Sequence, residues 1–244
     1  MRRVRSLGIG KRLTAHLQGM GIRTAWDLSR AAPGLLRKAF SVVVEKTARE
    51  LAGSPYLQLQ DIEPPRQEIC CSRMFGKRLT EQAPIKEAVA TYVMRAAEKL
   101  RGQRSLASKM RVSIRTGMFN PDEAKYANGV VVQLPYPTDD VRLLTRMALE
   151  AVERVYRQGF RYSKAEVLLL ELCQRGEFTG DLFAPSQTVQ AERVMAVIDG
   201  VNARWGRGTL RSAAVPAAAQ WAMRRELMSA GFTTQMDGLW RVNR

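Results

Sequence analysis

Two groups of residues have the types and spacing to hold a polyanion. The first is Leu7-Gly8-Ile9-Gly10-Lys11-Arg12, with a second turn at Gly21-Ile22-Arg23-Thr24. Glycine reaches positive φ without steric penalty and lets a phosphate come close to the backbone. Amides of Gly8 to Lys11 at a helix N-terminus would then present N–H donors and partial positive charge to an anion. Lys11 and Arg12 add whole charges. This is the helix-hairpin-helix way of gripping a nucleic-acid backbone without reading its bases. An ordinary glycine-containing helix entry uses the same dipeptides, but the second turn and the basic neighbours favour the anion site.

The second group is Met110-Arg111-Val112-Ser113-Ile114-Arg115-Thr116, which alternates with period two. With Val112 and Ile114 turned to a core, Arg111, Ser113 and Arg115 share the opposite face and Lys109 extends the stripe. Ser72, Arg73, Lys77 and Arg78 lie in or after another β-prone segment and are expected beside it. Cations and serines with few aromatics suit phosphate contact. A base-stacking sheet would want Phe or Tyr there. The competing reading is a solvated sheet face blunted by charge.

The balance of the whole chain agrees. Its 244 residues carry a formal charge of +16, which fits a polyanionic partner. Residues 1–60 hold +8 of this, residues 61–175 hold +6 and residues 176–244 only +2, so the footprint lies in the first two thirds. Three cysteines, Cys70, Cys71 and Cys173, are too few and wrongly spaced for a zinc site or disulfide framework. They are expected as small buried hydrophobes in a reducing, cytoplasmic protein. The longest apolar runs are far too short to span a bilayer, and no apolar segment follows the basic N-terminus as a signal peptide would require. No membrane contact is expected.

The elements that must position these residues follow from local pattern. Two short helices, 11–20 and 24–31, flank the Met20-Gly21-Ile22 turn, with Thr24 as N-cap and Asp27 three residues on. A third helix is expected over about 40–52. Asp61-Ile62-Glu63-Pro64-Pro65 reads as a linker because paired prolines continue neither helix nor strand. Then come a strand over 67–75, a helix over 85–101 and a strand over 110–116. A second strand, 130–134, follows the Asn128-Gly129 turn signal, then a helix over 139–157 and a strand over 165–172. The sum is β-α-β-β-α-β, a ferredoxin-like motif in the α+β class, with both helices on one sheet face and the other face free. Residues 176–244 look loosely structured apart from a helix over 189–204. Trp205, Trp221 and Trp240 need a surface to bury against, expected on a partner.

The expected domains are a helix-hairpin-helix unit (1–60), a basic sheet domain (66–175) and a tail (176–244). This order resembles the C-terminal part of Y-family translesion DNA polymerases, in its UmuC-like branch. The likeness rests on Gly8-Ile9-Gly10-Lys11-Arg12-Leu13, Leu57-Gln58-Leu59, Gln67 to Gly76, Arg95 to Arg101, Gly206-Arg207-Gly208-Thr209-Leu210 and Trp221-Ala222-Met223-Arg224-Arg225. It implies a thumb end, a DNA-binding little finger and a C-terminal tail. Thr179-Gly180-Asp181-Leu182-Phe183 resembles that family's sliding β-clamp-binding pentapeptide, with Asp181, Leu182 and Phe183 fitting and Thr179 standing where glutamine is usual. The resemblance also implies a UmuD-like accessory subunit and a recombinase filament as partners, and a role in SOS DNA repair and mutagenesis.

Polymerase chemistry needs carboxylates that hold Mg²⁺ between primer hydroxyl and nucleotide. The family places them in a palm domain N-terminal to the segment matched here, so this chain is expected to be non-catalytic, with no cofactor of its own. Asp139-Asp140 read as helix caps, Asp122-Glu123 as turn residues and His16 as a packing residue. Four readings remain. They are a DNA-binding fragment of a UmuC-like polymerase, a protein-interaction module for the clamp or polymerase partners, a remnant without a selected role, and, least supported, an enzyme in its own right.

Overall fold

The computed structural model describes residues 9–56, 65–177 and 185–223. Two compact units divide the chain, Met1–Pro64 and Pro65–Arg244.

The first unit holds α1 (Lys11–Gly19), α2 (Ala25–Arg30), α3 (Pro33–Ala39) and α4 (Val42–Leu51). Leu17, Leu28 and Leu36, all fully buried, pack with Ile9, Ile22, Val44 and Ala48. Gly21 makes the turn between α1 and α2 with φ of 84°, a region that side chains with a Cβ enter only at a penalty. Thr24 then starts α2 as expected. Its hydroxyl accepts from the Asp27 amide at 3.1 Å, and the Asp27 carboxylate accepts from the Thr24 amide at 2.9 Å. These bonds hold the Asp27 carboxyl below its ordinary pKa. The helix expected over about 40–52 is α4, and one that was not expected, α3, precedes it, started by Pro33 at the first helical position.

The second unit runs β1 (Ile69–Leu79), α5 (Gln82–Gly102), β2 (Ser105–Thr116), β3 (Ala127–Thr138), α6 (Val141–Val155), β4 (Tyr162–Gln174) and α7 (Val189–Trp205). This is the β-α-β-β-α-β order, closed into an antiparallel sheet of order β1-β4-β2-β3. β4 and β2 are central, and β1 and β3 form the edges. Ala88, Val89 and Val93 of α5 and Leu144, Ala148 and Val152 of α6 are fully buried in one core with Met110, Val112, Val167 and Leu169. The helices cover one sheet face.

The segment after β4 adds to this core. Met195 of α7 and Trp221 are 1% and 5% exposed within it. Trp221 meets Tyr92 edge-on at 5.7 Å and Phe75 at 6.4 Å. Its carbonyl accepts from the Gly76 amide at 2.9 Å, on the edge of β1. Trp221 therefore finds its burial inside this chain, correcting the expectation of a partner surface, while Trp205 stays 61% exposed. Trp240 lies outside the described residues. Arg101 of α5 ties α7 down with a bidentate pair to Asp199, both contacts at 2.6 Å. No helix among the described residues is long and apolar enough to cross a membrane.

Candidate nucleic-acid interface

Alternation along β2 sorts its side chains cleanly. Met110, Val112 and Ile114 are at most 1% exposed against the helices, while Arg111 and Arg115 are exposed on the free face with Ser113 half-buried between them. The register builds rows across three strands. Arg111 pairs with Leu168 and Val131, Ser113 with Glu166 and Gly129, and Arg115 with Lys164 and Ala127. One row further, Lys109 pairs with Leu170 and Gln133. On the outer side of β4, Ser72 pairs with Glu166. A depression of about 280 Å³ lies among Arg111, Ser113, Arg115, Gly129, Lys164 and Glu166.

Charge pairing divides the cations of this face. Glu171 takes a left-handed φ of 50°, breaks the alternation of β4 and pairs with the Lys109 ammonium. Lys164 pairs with Glu166 at 3.2 Å. Among the described residues, Arg111 and Arg115 have no carboxylate partner. They are the cations left open to an anion.

Other residues expected at the interface fall elsewhere. Arg73 shares its parity with the buried Ile69, Cys71 and Phe75, and it lies on the helix side of the sheet among residues of α5. It does not join the free-face stripe, because alternation along β1 puts Ser72 and Arg73 on opposite faces. Lys77 is exposed where β1 loses its regular register with β4, between Met74 and Leu79. Arg78 is taken by Glu123, whose carboxylate accepts from Arg78 Nε at 2.9 Å and from the Gly117 amide at 3.1 Å. The Arg78 hydrogen bond is the main reason the Glu123 carboxyl lies below its ordinary pKa. Cys70 is exposed and Cys71 buried, so only the second behaves as the expected small hydrophobe.

Sequence reasoning missed Gly129, Lys164 and Glu166 as parts of this face. Asn128-Gly129 carried a turn signal, yet both lie inside β3, and the β2–β3 connection is residues 117–126. The signal that could have found Gly129 is its small size in a strand, which marks a close backbone approach.

In the first unit, Lys11 and Arg12 are exposed at the start of α1. Gly10 is its N-cap with φ of −73° and ψ of 169°, extended backbone open to any residue. The glycine-only conformation expected at this position is not adopted. Gly8, Leu57 to Leu59 and the Thr179–Phe183 motif, with Asp181, Leu182 and Phe183, lie outside the described residues.

Asp139 and Asp140 have structural partners. Asp140 caps α6, accepting from the Arg142 amide at 2.9 Å. Burial opposes its charge, but the Arg142 side chain and amide together hold its pKa below the ordinary value. Asp139 is 1% exposed and bonded to Arg175 and Gln187, a core link and not a cap. His16 packs edge-on to Phe40 at 5.4 Å. Among the described residues, no group of three or more His, Cys, Asp or Glu could hold a metal ion.

Residues 66–182 match the impB/mucB/samB family C-terminal domain, and residues 192–242 match a domain of unknown function, DUF4113. Over residues 66–182 the chain is similar to the C-terminal domain of that family. It is 39% identical to protein UmuC of Salmonella typhimurium strain LT2 over 96% of its own length and 56% of that protein. It is 39% identical to protein ImpB of Salmonella typhimurium and 37% identical to protein MucB of Escherichia coli, each over 96% of this chain and 54% of the relative. The chain spans little more than half the length of these relatives. Among solved structures it is similar to the Y-family DNA polymerase chimera Dbh-Dpo4(243-245)-Dbh, with a TM-score of 0.44 and 15% identity over 68% of this chain and 46% of that one.

Proposed function

We propose that this chain is a DNA-binding, non-catalytic C-terminal region of a UmuC-like translesion polymerase, acting in SOS DNA repair and mutagenesis. The observation that carries the reading is the Arg111 and Arg115 pair. Both stand on the solvent side of a sheet whose other face is the core, and neither has a carboxylate partner among the described residues. Guanidinium groups beside Ser113 and the bare backbone of Gly129 suit phosphate oxygens, and no aromatic side chain on β2 offers a stacking surface. Binding to damaged or primer-template DNA is then largely independent of sequence. Lys11 and Arg12 provide a second phosphate contact in the first unit. The Mg²⁺-binding carboxylates of the reaction belong to a palm domain, so this chain supplies grip and no phosphoryl-transfer step.

Clamp tethering through Asp181, Leu182 and Phe183, and contacts with a UmuD-like subunit and a recombinase filament, complete the proposal and rest on resemblance. The test is fluorescence anisotropy of labelled primer-template DNA at several salt concentrations, with and without the sliding β-clamp. Tight, salt-sensitive binding that clamp strengthens is the expected outcome. No binding at low salt overturns the DNA reading.

A further inference from the structure

On the helix side of the sheet, away from Arg111 and Arg115, a cavity of about 850 Å³ opens between α5, α7 and residues 207–223. It forms where the impB/mucB/samB domain meets the domain of unknown function, each supplying part of its wall. Arg101 and Arg207 line it but are already neutralised, Arg101 by Asp199 at 2.6 Å and Arg207 by Glu98 at 2.8 Å. Arg73 and Arg95 also line it, and among the described residues neither has a carboxylate partner. Burial, followed by the neighbouring Arg73 and Arg207, holds the Arg95 guanidinium below its ordinary pKa. Like charges drawn partly out of water are stabilised when a counter-charge arrives.

A second, independent observation points to a ligand. Trp221 lines the cavity, is 95% buried, and its indole N–H has no acceptor among the described residues. A buried donor without an acceptor is rare in folded proteins and calls for one.

The lining decides between anions. Met94, Ile198, Ala219 and Met223 make much of the wall apolar, and methionine adapts to varied shapes. The volume falls in the range of sites that enclose a ligand with an apolar body, about 300–1,000 Å³, far more than a lone phosphate needs. The guanidinium fork matches a carboxylate bidentately. We propose that this cavity binds an acidic peptide segment of a partner protein, with a carboxylate on Arg73 and Arg95, a peptide carbonyl accepting from the Trp221 indole N–H, and a neighbouring apolar side chain against Met94 and Ile198. The site is separate from the DNA-binding face and does not depend on it.

The probe is a fluorescein-labelled dodecapeptide in which Asp alternates with Leu and Phe, titrated with the full chain. Its Asn-for-Asp counterpart is the control. The acidic peptide is expected to bind about tenfold tighter than the control, since the charge-assisted pair supplies the discrimination. Arg73→Gln/Arg95→Gln should weaken binding about tenfold, and Arg111→Gln/Arg115→Gln, which removes the same charge from the other face, should leave it within about twofold. Thr91→Glu, which sets a carboxylate in the cavity wall on the exposed side of α5, should block the peptide with both arginines in place. It keeps the test valid should the double variant fail to fold. The proposal is overturned by absence of binding to the wild-type chain, or by equal losses in the two double variants. Displacement of the peptide by primer-template DNA or by inorganic phosphate at matched concentration also overturns it, assigning the cavity to those anions.

Discussion

Gly129 of β3 and Ser113 of β2 are register partners with room between them for no side chain. A Cβ on Gly129 would lie 2.8 Å from the Ser113 Cβ and 3.3 Å from the Val112 carbonyl oxygen. The edge strand thus lies close to the central strand where Arg111 and Arg115 flank Ser113. Gly129→Ala must push β3 away, and overpacking of this kind destabilises by about 1–3 kcal/mol. Urea unfolding should show that loss, and DNA affinity measured at a concentration where the variant is folded should fall with it.

Arg111→Ala/Arg115→Ala should reduce DNA affinity and flatten its salt dependence. Each lost phosphate contact lowers the slope of log K against log salt by about 0.9, so a decrease of roughly 2 is expected. Arg73→Gln should change neither quantity, since Arg73 lies on the other side of the sheet. An unchanged slope in the double variant would remove the free face from the interface.

Gly76 supports the packing of Trp221. A Cβ there would meet the Ala222 carbonyl oxygen at 2.4 Å, on backbone that cannot swing aside as a side chain does. Gly76→Val should lift the 219–223 segment from the edge of β1 and break the hydrogen bond from the Gly76 amide to the Trp221 carbonyl. The expected readout is a red shift of tryptophan fluorescence with a lowered Tm, while the sheet-face DNA contacts persist.

Acid should weaken the fold through Glu123. Its folded-state pKa lies below the ordinary 4.5 because Arg78 donates to the carboxylate. A depressed carboxyl stabilises the folded chain above the unfolded pKa and loses that contribution as pH falls through the folded value. Tm should therefore drop between about pH 5 and pH 3, and Glu123→Gln, less stable at neutral pH, should show a shallower drop over that window.

The order of strands and helices was legible because each depends on local pattern. Period-two alternation in Met110–Thr116 and helical spacing in residues 85–101 each need only a short window. The Thr24 and Asp27 cap was legible for the same reason. Less local features were misread. Asn128-Gly129 looks like a turn until a partner strand claims it, and Pro33-Gly34 hides a short helix behind two residues that usually end one. The tail looked partnerless because nothing in residues 206–223 announces that Trp221 will reach Phe75 and Tyr92, more than a hundred positions away.

Sequence by itself determined that the chain is strongly basic, that β2 carries cations on one face, and that two helices cover the other. Charge and alternation are properties of consecutive residues. Tertiary structure alone decided which cations remain open. Lys109 is neutralised by Glu171 across 62 positions, Arg78 by Glu123 across 45, and Arg101 by Asp199 across 98. Arg73 was turned to the helix side by the face that β1 buries. Ion pairing is a short-range interaction between groups that only chain folding brings together, so a count of arginines fixes the total charge but not where it is left unpaired.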